Sequence, residues 1–75
     1  MQIRRIFRTR KQDEAWMVVE DRAARRVLVV AWWPTEDLFG VKTVSEFPWR
    51  DGADYVDAFG TALELAAKYA RGGVR

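Results

Sequence analysis

Residues 26–34 read Arg-Val-Leu-Val-Val-Ala-Trp-Trp-Pro, seven consecutive apolar residues that end in two adjacent tryptophans and a proline. The run is β-branched, aromatic and short, which marks a strand rather than a helix. Neighbours along a strand point to opposite faces of its sheet. Val27, Val29, Ala31 and Trp33 therefore share one face, and Leu28, Val30 and Trp32 share the other. A strand apolar on both sides belongs in the middle of a sheet, and Trp32 and Trp33 cannot enter the same core.

Working outward, residues 15–20, Ala-Trp-Met-Val-Val-Glu, predict a second strand of the same kind, with Trp16 and Val18 opposite in parity to Met17 and Val19. Residues 2–10 predict a strand that precedes it, and the polar residues 11–14 a turn between them. On this pattern Ile3 and Phe7 take one side of the first strand, and Arg4, Ile6, Arg8 and Arg10 the other. Pro34 ends the third strand because it donates no ladder hydrogen bond. Thr35–Gly40 fits either a loop or one helical turn capped by Thr35 and ended by Gly40. Residues 41–47 predict a weaker fourth strand closed by Pro48.

The last segment changes period. Asp51 is a good N-cap, and Asp54 stands in the first turn, where the helix dipole favours a negative charge. Over residues 53–71, Tyr55, Val56, Phe59, Ala62, Leu63, Ala66, Ala67 and Ala70 fall on one broad face. Gly72 and Gly73 stop the helix. Thr61-Ala-Leu-Glu64 spells an alternative start, with residues 54–59 as a strand and Gly60 as the break. The apolar face passes Gly60 without a phase shift, which favours one continuous helix. The expected fold is α+β: a four-stranded antiparallel sheet in the order β-β-β-β-α, with one C-terminal amphipathic helix packed on one face.

One helix covers one face of such a sheet, so the apolar residues of the other face must meet something else. The turn at 21–26 decides the grouping. With Asp21 opposite Arg26 and a four-residue loop at 22–25, Met17 and Val19 join Leu28, Val30 and Trp32. Trp16 and Val18 then join Val27, Val29, Ala31 and Trp33. An odd loop would exchange the groups. The loop contains neither Gly nor Asn, which argues against a two-residue primed turn. Arg4, Arg8 and Arg10 on one side of the first strand make poor core, so their side is expected to be the outer one.

The chain has 75 residues, enough for one small domain that buries roughly 60% of its unfolded surface. It contains no Cys and no His, so disulfides, cysteine or histidine catalysis and zinc ligation are not expected. There is no glycine-rich phosphate loop, and the paired acids Asp13/Glu14 and Glu36/Asp37 sit in turns. A non-enzymatic protein without a cofactor is expected. The net charge is only +2, yet ten of the thirteen basic residues are arginine, and residues 1–11 hold five basic residues and no acid. No apolar run reaches the ~20 residues that span a bilayer. Neither a membrane segment nor a secretory leader is expected, and a cytoplasmic location is.

These features define a candidate binding face of Arg4, Arg8, Arg10, Trp16, Arg26, Trp32 and Trp33. Trp and Arg are the residues most used at interface hot spots. The expected role is a small regulatory interaction module that binds a protein partner or forms a homodimer through this face. The alternative is a sheet platform on which bases of a single-stranded nucleic acid stack while arginines follow the phosphates. The element order is similar to that of positive-cofactor-type transcriptional coactivators and related single-strand binders, which pair a curved four-stranded sheet with a C-terminal helix and dimerise. The resemblance is one of topology and rests on no motif.

Overall fold

The computed structural model describes residues 1–9, 14–34 and 39–72. Four strands, β1 (Gln2–Arg8), β2 (Ala15–Asp21), β3 (Arg26–Pro34) and β4 (Phe39–Pro48), form one antiparallel sheet in sequential order. One helix, α1 (Gly52–Ala70), comes after them and packs across the sheet. The α+β meander with a single C-terminal helix is therefore the fold of this chain.

The hinge of the topology is the β2–β3 turn. Asp21 pairs with Arg26, and residues 22–25 form the four-residue turn. Arg25 takes a left-handed backbone conformation with φ of 54°. Its carbonyl accepts the Trp49 N–H at 3.0 Å, which ties the turn to the end of β4. The even register puts Trp16 and Val18 with Val27, Val29 and Ala31 in one buried cluster beneath α1. Val18, Val27 and Val29 are completely buried there.

Three helix alanines, Ala58, Ala62 and Ala66, are the buried positions of α1. Their spacing of four residues makes a stripe of small side chains that lets the helix axis approach the sheet. Larger side chains, among them Tyr55, Phe59, Leu63, Leu65 and Tyr69, flank the stripe and pack against the cluster. This corrects the helical face expected from sequence. Val56, expected on the packed face, is 68% exposed, and Ala58, Leu65 and Tyr69 take part instead. Close approach selects the smallest residues for the centre line, and hydrophobicity alone does not identify them.

The helix is continuous through Gly60 and begins after the Asp51 cap, whose side chain accepts the Asp54 N–H at 3.0 Å. The alternative start at Thr61 is not used. At the other end Gly72, with φ of 78°, supplies the left-handed residue that ends the helix. Phe39 and Gly40 belong to β4, so Gly40 ends no helical turn. Thr35 lies outside the described residues.

β1 departs from strict alternation. A register shift between Ile3 and Arg5 makes Arg4 the extra residue of a bulge. Beyond it Ile6 pairs with Met17 and Phe7 with Trp16. Ile3, Ile6 and Arg8 consequently share a side, and Arg5 and Phe7 take the helix side. The expected alignment of Arg4 with Arg8 does not survive the bulge, because one inserted residue reverses the parity of every later strand position. Arg10 lies outside the described residues.

Candidate functional site

The two tryptophans part as the alternation requires. Trp33 packs against the helix-side cluster. Trp32, paired with Ala15 and half-buried, stands on the opposite side. Trp16 is buried at 7% exposure beneath the helix, stacked on Tyr69 with ring centroids 4.5 Å apart. Its indole Nε1 makes no hydrogen bond among the described residues.

The residues expected to form one binding face therefore occupy two. Arg8, Arg26 and Trp32 lie on the side turned away from α1, and Trp16 and Trp33 lie on the helix side. Arg4, in the bulge, is close enough for its charge to act on Glu20 and Tyr55, which also lie on the helix side. A face that combines all three tryptophans with the arginines is excluded by the even register of β2 and β3.

The side away from α1 carries a second apolar cluster. Val19, Leu28 and Val30 are each only 5–6% exposed, with Met17 packed against them. They lie on the two central strands of the sheet. The margin of this cluster is open: Ile3 is 54% and Ile6 46% exposed. Arg26 and Glu46 form an exposed ion pair at 3.2 Å on the same side. The sequence pattern identified Trp32, Arg8 and Arg26 here. It assigned Ile3 and Ile6 to opposite sides, because nothing in Arg4-Arg5 announces a bulge.

A polar centre lies at the other end of the helix side. Glu20 is 1% exposed, although glutamate is seldom buried unless paired. Its carboxylate accepts hydrogen bonds from the Tyr55 hydroxyl and the Arg22 Nε–H, one on each oxygen. The Tyr55 bond, then the Arg22 bond, hold its pKa below the ordinary carboxylate value despite the opposing effect of burial. Tyr55 is pushed above the ordinary phenol value, first by that same hydrogen bond and then by burial. The pair joins β2 to the first turns of α1, and the β2–β3 turn delivers Arg22 to it. No sequence pattern joins Glu20 to a tyrosine thirty-five residues away. The one available signal was an acid ending an otherwise apolar strand.

Among the described residues no group of three or more acids could hold a metal ion, and no helix is long and apolar enough to cross a membrane. Comparison with protein-family models, with curated proteins and with solved structures finds no match to this chain.

Proposed function

We propose that the protein is a small, non-enzymatic interaction module whose sheet face opposite α1 docks a protein surface, with a second copy of the chain as the partner it fits. The observation that carries this reading is the second apolar cluster with the exposed Ile3 and Ile6 at its margin. An exposed apolar patch rimmed by polar residues marks an interaction site, and Ile3 and Ile6 together supply one beside the cluster. The rim supports a self-partner. Arg26 and Glu46 stand side by side, and a two-fold seam lets each charge meet the opposite charge of the other copy. A domain this small without disulfides also gains from association.

Stacking of single-stranded nucleic acid on the same face is the weaker reading. It keeps Trp32, Arg8 and Arg26 but lacks Trp16 and Trp33, which the helix covers.

Sedimentation equilibrium over a wide concentration range tests the proposal. The wild-type chain is expected to associate with little dependence on salt, and Ile3→Lys/Ile6→Lys to stay monomeric with an unchanged circular dichroism spectrum. A wild-type chain that remains monomeric at every concentration would overturn the self-partner. Association that vanishes at high salt and needs added oligonucleotide would favour the nucleic-acid platform.

A further inference from the structure

A cleft of about 420 Å³ opens between the β2–β3 turn, the end of β4 and the start of α1. Its walls include Trp49 and Tyr55, and three arginines, Arg22, Arg25 and Arg50, stand around it. The volume falls within the ~300–1,000 Å³ typical of small-ligand sites. None of these three arginines belongs to the sheet face opposite α1.

Two of the three arginines make ion pairs through their inner nitrogen, and their side chains stay exposed. Arg22 meets Glu20 through its Nε, and Arg50 meets Asp54 through its Nε at 3.4 Å. Each carboxylate thus engages the inner nitrogen and leaves both Nη groups out of the pair. A guanidinium anchored at Nε offers its outer nitrogens as a pre-oriented fork, the shape that suits phosphate oxygens. Glu20 is itself buried and pinned by Tyr55, so Arg22 is anchored to a rigid point. Arg25 makes no ion pair among the described residues and lines the cleft from a left-handed position of the turn. Of the two acids in the wall, Glu20 is occupied by Arg22, and Asp51 caps the helix. Arg22 and Arg50 are each offset by a paired carboxylate, Glu20 and Asp54, so among the described residues Arg25 is the guanidinium of the cleft whose charge no ion pair offsets. Trp49 is half-buried and packs edge to face with Tyr55 at 5.0 Å, which fixes an aromatic wall beside the guanidinium groups.

We infer that this cleft is a binding site for an organic phosphate carrying a flat ring, with Arg22, Arg25 and Arg50 on the phosphate and Trp49 against the ring. Guanidinium groups beside an indole are the two elements that recognise one nucleotide, whether free or at the end of a single strand.

The test is a titration of the full chain, monitored by tryptophan fluorescence and calorimetry. The probes are adenosine monophosphate, a short 5′-phosphorylated oligothymidylate, the same oligomer without the phosphate, and inorganic phosphate. Arg25→Gly is the diagnostic variant. It removes the guanidinium and also relieves the left-handed strain, so it is expected to melt no lower than the wild type. The expected result is saturable binding of a phosphorylated ring compound, weakened about tenfold or more by Arg25→Gly, the loss of one charge-assisted contact. Inorganic phosphate is expected to bind less well, and Trp49→Phe to remove most of the fluorescence response. Binding of the monophosphate alone identifies a free nucleotide as ligand. Binding of the phosphorylated oligomer alone identifies a strand end. Equal binding of both oligomers, binding indifferent to Arg25→Gly, or no binding of any probe up to millimolar concentration would overturn the assignment.

Discussion

The Tyr55 hydroxyl on α1 donates a hydrogen bond to the buried carboxylate of Glu20 on β2. It is a polar contact that ties the helix start to the sheet beside the apolar packing. A hydrogen bond to a buried charge contributes roughly 1.5–3 kcal/mol, against about 1 for a neutral one. Tyr55→Phe is therefore expected to lower stability by an amount in that range with little change in the apolar packing. Chemical denaturation of both proteins at neutral pH measures the difference. A loss below about 0.5 kcal/mol would show that Arg22 alone satisfies the carboxylate.

The same pair makes stability depend on pH at both ends. Glu20 is more acidic in the folded chain than its ordinary value of 4.5. Its contribution is complete above that value and disappears as pH falls through the lower, folded one. Tyr55 is less acidic than its ordinary value of 10.0. Its contribution is complete below 10 and disappears as pH rises further. Glu20→Gln should flatten the acid limb of a plot of melting temperature against pH, and Tyr55→Phe the alkaline limb. A Glu20→Gln protein with an unchanged acid limb would place the acid sensitivity elsewhere.

Trp16 and Trp32 should respond very differently to truncation. Trp16 is buried and stacked on Tyr69, whereas Trp32 stands half-buried on the other side. Trp16→Ala is expected to cost about 3–5 kcal/mol, comparable with the whole stability of many small domains. Trp32→Ala should leave a folded chain and weaken association if the outer face is a seam. Circular dichroism separates the two outcomes directly. A well-folded Trp16→Ala protein would contradict the helix-side core.

Much of this architecture was legible because β3 is apolar on both faces and the β2–β3 turn contains an even number of residues. Those two facts separate Trp32 from Trp33 and assign Trp33 to the helix side once the helix is placed. The Asp51 cap and the Gly72 stop were equally plain, since each satisfies a backbone requirement that few residues meet. The role of Arg4 was not legible, because a bulge at one of two adjacent arginines leaves no compositional trace. Its effect reached the candidate site: Ile3 and Ile6 came together on the outer face, and Arg4 left it. The cleft beside Trp49 was also hidden. Its residues come from the turn, the end of β4 and the first turns of the helix, and contacts such as the Arg25–Trp49 backbone bond, the Glu20–Tyr55 pair and the Trp49–Tyr55 ring contact bring them together.

The middle of α1 offers a final pair of substitutions with opposite signs. Gly60 is exposed, and a methyl group built on it meets nothing within 4 Å. Gly60→Ala removes freedom from the unfolded chain and improves helix propensity, so it is expected to stabilise by about 0.5–1 kcal/mol. Two residues on, Ala62 is completely buried on the centre line of the helix. Ala62→Leu adds three carbons where the helix lies closest to the sheet and is expected to cost about 1–3 kcal/mol through overpacking. Both changes replace a small residue by a larger and better or comparable helix former, so propensity alone predicts no penalty for either. Thermal melts of the two variants should therefore shift in opposite directions. If both shift upward, the helix stands farther from the sheet than the alanine stripe implies. If both shift downward, Gly60 is in contact with something that only a second molecule supplies, which would move the association surface from the sheet to the exposed side of α1.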